Sequence, residues 1–147
     1  MTGVTPIISH QGIFENPTTV YSETSDEMRV NYFKQFVTET KSPWFFHLHL
    51  VGTHYSTFKP KSQVFSMADQ GRVASKKDIY NDAIWENDTY LKEAVDFLVS
   101  RGQLEETLVI ISSDHTKNWH SDRRIPLLIR FPSSTIKGKI NGNVQLA

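Results

Sequence analysis

A short β-branched run ends in a carboxylate beside an imidazole, and this narrows the possible folds more than any other stretch of the chain. Residues 107–113 read Thr-Leu-Val-Ile-Ile-Ser-Ser and lead straight into Asp114-His115. A nearly continuous run of this kind predicts a strand covered on both faces, as in the parallel sheets of α/β proteins. In open α/β sheets, ligands collect just beyond the carboxyl ends of the strands. A carboxylate and an imidazole fixed there suit a divalent metal, since both are hard or borderline donors. The alternative reading is that Asp114 caps the next turn and His115 is a polar loop residue.

Around that pair, 147 residues suffice for one domain with a core but are few for a complete α/β enzyme. Lys+Arg and Asp+Glu balance at 16 each, so electrostatics provide no reason to expect nucleic acid or an anionic membrane as partner. The absence of cysteine excludes disulfides, thiolate zinc sites and a cysteine nucleophile. No apolar stretch is long enough to cross a bilayer. Residues 1–10 lack the basic start and apolar core of a signal peptide, and the compartment stays open.

The chain divides into an irregular polar stretch at 1–23, an α/β core at 24–132 and a polar tail at 133–147. Thr24 and Glu27 form a capping-box pair that opens a helix. Its expected buried stripe is Met28, Tyr32 and Phe36, widened by Phe33 and Val37. The helix must stop before Pro43, which pushes Ser42 away from helical angles. Residues 43–51 alternate as a second strand, with Trp44, Phe46, Leu48 and Leu50 on one face and Phe45, His47, His49 and Val51 on the other. The second face reads as packing under a helix, with its two imidazoles hydrogen-bonded. Gly52-Thr53-His54 leaves the strand, and residues 55–74 form a long loop. Ser75 with Asp78 opens another helix, which Gly102 stops. Its stripe is Tyr80, Ile84, Leu91, Val95 and Leu98, broadened by Trp85, Ala94 and Phe97 and interrupted by Asn87 and Asp88. Residues 124–132 supply a third strand.

Four of these elements, in order over residues 44–132, resemble the sulfatase branch of the alkaline-phosphatase superfamily, including its lipoteichoic-acid synthase-like transferases. They are the aromatic strand leading to Gly52-Thr53-His54-Tyr55, the helix carrying Tyr80, Ile84 and Asp88, the run ending in Asp114-His115, and Trp119 with the strand at 124–132. The resemblance implies a three-layer sandwich around a mostly parallel sheet, held as a single partial domain over 1–147. It implies a divalent cofactor (calcium, magnesium, manganese or zinc), with Asp114 and His115 as its ligands. It also implies a sulfate or phosphate ester substrate, and His54 as the group that contacts the transferred moiety or protonates the leaving oxygen. The bland reading of His54 is a loop histidine bonded to backbone. His120 and Lys117 are further candidates for an anion or metal contact.

Two departures stand out. Thr116 occupies the place where the family usually has glycine. Neither Cys-x-Pro-x-Arg nor Ser-x-Pro-x-Arg occurs anywhere in the chain, so the N-terminal strands and the nucleophile unit are expected to be missing. A fragment of this kind should be nearly inactive alone, and should self-associate through an exposed sheet edge. The competing reading is a non-catalytic α/β module that binds a metal or an anion.

Overall fold

The computed structural model describes residues 25–54, 59–66, 74–116, 124–134 and 136–139. Contacts divide the chain into a unit of residues 1–97 and a unit of residues 98–147.

In the first unit, helix α1 spans Asp26–Glu39. Ser25, not Thr24, is its N-cap: the Ser25 hydroxyl accepts from the Met28 amide at 3.2 Å, and Thr24 lies outside the described residues. Either residue can supply a capping oxygen, and sequence alone does not set the phase by one position. The buried face is Val30, Phe33, Phe36 and Val37, whereas Met28 and Tyr32 of the expected stripe are 43% and 38% exposed. The aromatic segment decides between the two faces. Phe33 meets Trp44 and Phe46 with ring centres 6.4 and 5.2 Å apart, and Phe36 meets the same rings at 6.1 and 5.1 Å. Edge-on or tilted pairs of this kind are each worth about 0.5–1.5 kcal/mol beyond their buried area.

Residues 43–51 keep the expected alternation. Trp44, Phe46, Leu48 and Leu50 are half-buried, while Phe45, His47 and His49 are exposed. The second face is therefore open, with Phe45 77% exposed, contrary to the expected packing under a helix. No ladder partner for this segment occurs among the described residues.

Helix α2 spans Lys76–Ser100. Its predicted capping box forms reciprocally: the Asp78 amide donates to the Ser75 hydroxyl at 3.1 Å and the Ser75 amide to the Asp78 carboxylate at 3.0 Å. Its end is also as predicted. The Gly102 amide reaches the Val99 carbonyl and the Gln103 amide the Leu98 carbonyl, both at 2.9 Å. Gly102 sits at φ +68°, a conformation that costs glycine little. The buried residues along α2 are Asp82, Ala83, Ala94 and Leu98, while Ile84 and Trp85 of the predicted stripe are about half exposed. Asp82 wins a place inside because its carboxylate gathers the loop, taking the Val64, Phe65 and Ser66 amides at 2.8, 2.7 and 3.2 Å.

The second unit holds strands β1 (Val109–Ser112) and β2 (Leu127–Arg130). They pair antiparallel, Val109 opposite Arg130 and Ser112 opposite Leu127. A mostly parallel sheet was expected, yet the one ladder among the described residues runs antiparallel, an arrangement that needs no crossover helix. Coverage on both faces is also not what β1 shows. Arg130 donates to the Leu104 carbonyl at 2.7 Å and to Glu105 at 2.6 Å; on its face Val109 and Ile111 are half-buried, but Leu128, opposite Ile111, is 57% exposed. The opposite face is open, with Leu108, Ile110, Ile129 and Phe131 exposed. The described part is thus a small α/β structure. No helix among the described residues is long and apolar enough to cross a membrane.

Candidate functional site

The carboxyl end of β1 presents the acid–imidazole pair to solvent. Asp114 Oδ1 accepts the His115 amide at 2.9 Å, and the Ser113 hydroxyl donates to the His115 carbonyl at 2.7 Å, so the backbone turns tightly here. His115 Nδ1 lies 2.8 Å from the Thr116 carbonyl. A carbonyl can only accept, so Nδ1 carries the proton and Nε2 is the basic nitrogen of the neutral ring. That Nε2 faces Asp114 Oδ2 at 3.5 Å. With the ring neutral these are two acceptor atoms facing each other, which a cation relieves; with the ring protonated they form an ion pair.

The spacing suits an ion shared by both atoms. Bonds of about 2.1 Å to nitrogen and oxygen, opened to a tetrahedral angle, separate two ligands by about 3.4 Å. The Nδ1 contact to a backbone carbonyl is also the outer hydrogen bond that orients a ligating histidine. The Asp114 side chain is 65% exposed and that of His115 26%, so the open side is on the carboxylate. Among the described residues no three His, Asp or Glu side chains gather as a metal cluster. The donors that gather here are two. Asp114 also bonds the adjacent amide, so the capping reading and the ligand reading describe different oxygens of one carboxylate.

In the first unit, His54 ends a tight turn, its amide donating to the Val51 carbonyl at 2.9 Å, and it is exposed. Two residues that sequence reasoning passed over hold this turn. Buried Asp26, the first residue of α1, accepts the Val51 and Gly52 amides at 2.9 and 2.6 Å. Arg29, one turn later, donates to the His49 carbonyl at 2.8 Å. A Cβ on residue 52 would lie 2.6 Å from Asn87 Oδ1 and 2.8 Å from Asp26 Oδ2, so only glycine lets both side chains close on the turn. Asn87 Oδ1 is buried without a hydrogen bond among the described residues. The interruption of the α2 stripe at Asn87 was a visible signal of this contact. Asp26 carried none, because it resembles any acidic residue in a first helical turn.

A groove of about 320 Å³ between α1 and α2 is lined by Glu27, Lys61, Trp85, Glu86, Tyr90 and neighbours. Lys61 donates to Glu27 at 2.6 Å, holding the Glu27 carboxyl below its ordinary range and raising its own ammonium. Burial pushes the Tyr90 hydroxyl up. The Lys34–Glu93 ion pair joins α1 to α2 directly, and Lys61 bridges them by bonding Glu27 through its ammonium and Glu86 through its amide. Lys117 and His120 lie outside the described residues.

The sulfatase family model matches residues 6–146. The chain belongs to the sulfatase family. The match extends on both sides of the four elements at 44–132 that carried the resemblance. No curated protein and no solved structure matches this sulfatase-family chain. Membership makes it a sulfatase-like member of a hydrolase family within the alkaline-phosphatase superfamily, whose members generally depend on metals. The carboxylate–imidazole edge after β1 fits such an ion in donor type and in separation.

Proposed function

We propose that this chain contributes a metal-binding strand end and a histidine acid to a metal-dependent hydrolase or transferase acting on sulfate or phosphate esters. The observation that carries the reading is the 3.5 Å approach of His115 Nε2 to Asp114 Oδ2, with Nδ1 committed to the Thr116 carbonyl. A divalent ion bound there supplies Lewis acidity toward an ester oxygen and lowers the pKa of a nucleophile. Asp114 contributes charge, and His115, in its neutral form, a nitrogen donor whose tautomer the Thr116 carbonyl favours. His54, held by the Asp26-anchored turn, gives a proton to the leaving oxygen or bonds the transferred group. His120 and Lys117 are placed in the anion-contact role by sequence alone.

In the same proposal, β1 belongs to a mostly parallel sheet in a three-layer sandwich, and the open face at Ile110 and Ile129 is one that a further layer covers. The chain alone is nearly inactive, because electrostatic stabilisation without an activated nucleophile leaves only a residual rate.

Calorimetric titration with Mn²⁺ tests the ligand assignment. Weak binding is expected for the wild type, since only part of a shell is present, with its loss in Asp114→Ala/His115→Ala. Identical isotherms would remove the basis of the proposal. If Mn²⁺ binds as expected, and aryl sulfate and aryl phosphate esters stay unhydrolysed even when an upstream nucleophile-bearing segment is supplied in trans, the non-catalytic binding module replaces it. The specific observation favouring that second reading is that only two donors gather among the described residues.

A further inference from the structure

The face of residues 43–51 turned away from α1 carries a second pair of imidazoles, and it has a geometry of its own. His47 and His49 are both exposed, their ring centres 6.1 Å apart and their planes within 14° of parallel. In an extended segment, residues two apart project from the same side, which is why the two rings lie together. We infer that His47 and His49 form a two-imidazole chelating site for a divalent ion of the zinc, copper or nickel class, separate from Asp114 and His115.

Three observations carry it. The first is reach. A metal–nitrogen bond of about 2.1 Å puts an imidazole centre roughly 3.2 Å from its ion, so two rings sharing one ion have centres about 5.2 Å apart at a tetrahedral angle and about 6.4 Å apart at the linear limit. The observed 6.1 Å lies between these values, and a tetrahedral site needs the stacked rings to turn and close by about 1 Å. Turning each ring about χ2, a soft torsion for histidine, aims the nitrogens at a common point. The second is the backbone, which is fixed on both sides of the pair. Trp44 and Phe46 dock on Phe33 and Phe36, Arg29 holds the His49 carbonyl, and Asp26 holds the Val51 and Gly52 amides. Binding therefore orders little beyond two side chains. The third is chemical selectivity. Imidazole suits zinc, copper and nickel, whereas magnesium and calcium demand oxygen donors. Two protein ligands leave positions for water or a small anion.

The inference does not depend on the ester-hydrolase reading, and the test separates them. The intact chain is titrated with Zn²⁺ by calorimetry near pH 7.5, where neutral imidazole is available to bind. Copper binding is followed in parallel by electron paramagnetic resonance. The expected result is that His47→Ala and His49→Ala each lose one equivalent of bound zinc, along with the two-nitrogen hyperfine pattern of bound copper. Asp114→Ala/His115→Ala should retain both signals, and Mg²⁺ should not compete for them. Because both histidines are exposed, the alanine variants should keep the wild-type far-ultraviolet circular dichroism. His47→Gln/His49→Gln repeats the test with the polarity of the face retained. Unchanged zinc stoichiometry in the glutamine variant would overturn the inference. So would loss of all zinc and copper binding in the Asp114→Ala/His115→Ala variant.

Discussion

Replacing Asp26 with alanine should disconnect the histidine turn from α1. The wild-type carboxylate is buried and receives the Val51 and Gly52 amides at 2.9 and 2.6 Å. A buried donor left without its acceptor costs about 1–3 kcal/mol. Two such amides, partly rescued by water that enters the vacated space, put the loss at about 2–4 kcal/mol. That is a large share of the roughly 5–15 kcal/mol that holds a domain folded. With a urea slope of about 2 kcal/mol per molar, the unfolding midpoint falls by roughly 1–2 M. The assay is urea unfolding followed by tryptophan emission in a Trp119→Phe background, so that only Trp44 and Trp85 report, both within the unit of residues 1–97. Asp26→Asn keeps one acceptor oxygen but turns an amide NH₂ toward the other donor, and should lose about half as much. Amide signals of residues 51–54 in nuclear magnetic resonance spectra should shift in both variants. A midpoint change below about 0.3 M in Asp26→Ala would refute the argument, because the two amides would then not depend on this carboxylate.

Two further outcomes follow from the same structure. Burial raises the Asp82 carboxyl, but the neighbouring Ser66 hydroxyl and the Phe65, Val64 and Ser66 amides more than offset this, leaving it below its ordinary value. A depressed folded-state pKa means that the unfolded chain takes up the proton first as pH falls. The Asp82 contribution is therefore complete above about pH 4 and lost as pH falls through the lower folded value. Asp82→Asn should be less stable at neutral pH yet lose less stability on acidification below about pH 4. Parallel urea midpoints for the two proteins across that window would sink this account. Separately, the open face bearing Leu108, Ile110, Ile129 and Phe131 should drive self-association. Sedimentation velocity should show concentration-dependent oligomers that Ile110→Lys/Ile129→Lys reduces, and a monodisperse wild-type monomer at high concentration would count against it.

Local chemistry was legible in the sequence wherever a feature depends on neighbours within one turn. The Ser75–Asp78 box, the Gly102 stop and the alternation at residues 44–50 are of this kind, since their partners lie a few residues away. Asp114-His115 was legible for the same reason: adjacent residues after a strand must emerge together. The four ordered elements likewise sufficed to indicate the family, in agreement with the family match over residues 6–146. The choice of N-cap was less legible, because Thr24 and Ser25 offer the same oxygen one position apart.

Other features required the fold. Met28 and Tyr32 are as apolar or aromatic as Val30 and Phe33, and only the docking of Trp44 and Phe46 selects which face of α1 is buried. His47 and His49 share a face by periodicity, but their exposure depends on what lies opposite, which no window of sequence contains. Asp26 and Asp82 are ordinary helical acids in the sequence; they become structural because distant amides reach them, 25 and 18 residues away. Composition and local spacing determine which side chains can present chemistry and in what order along the chain. Tertiary structure alone decides which of them are enclosed, which are held rigid and which face water, because burial and long-range hydrogen bonds are properties of packed surfaces and not of the chain's neighbours.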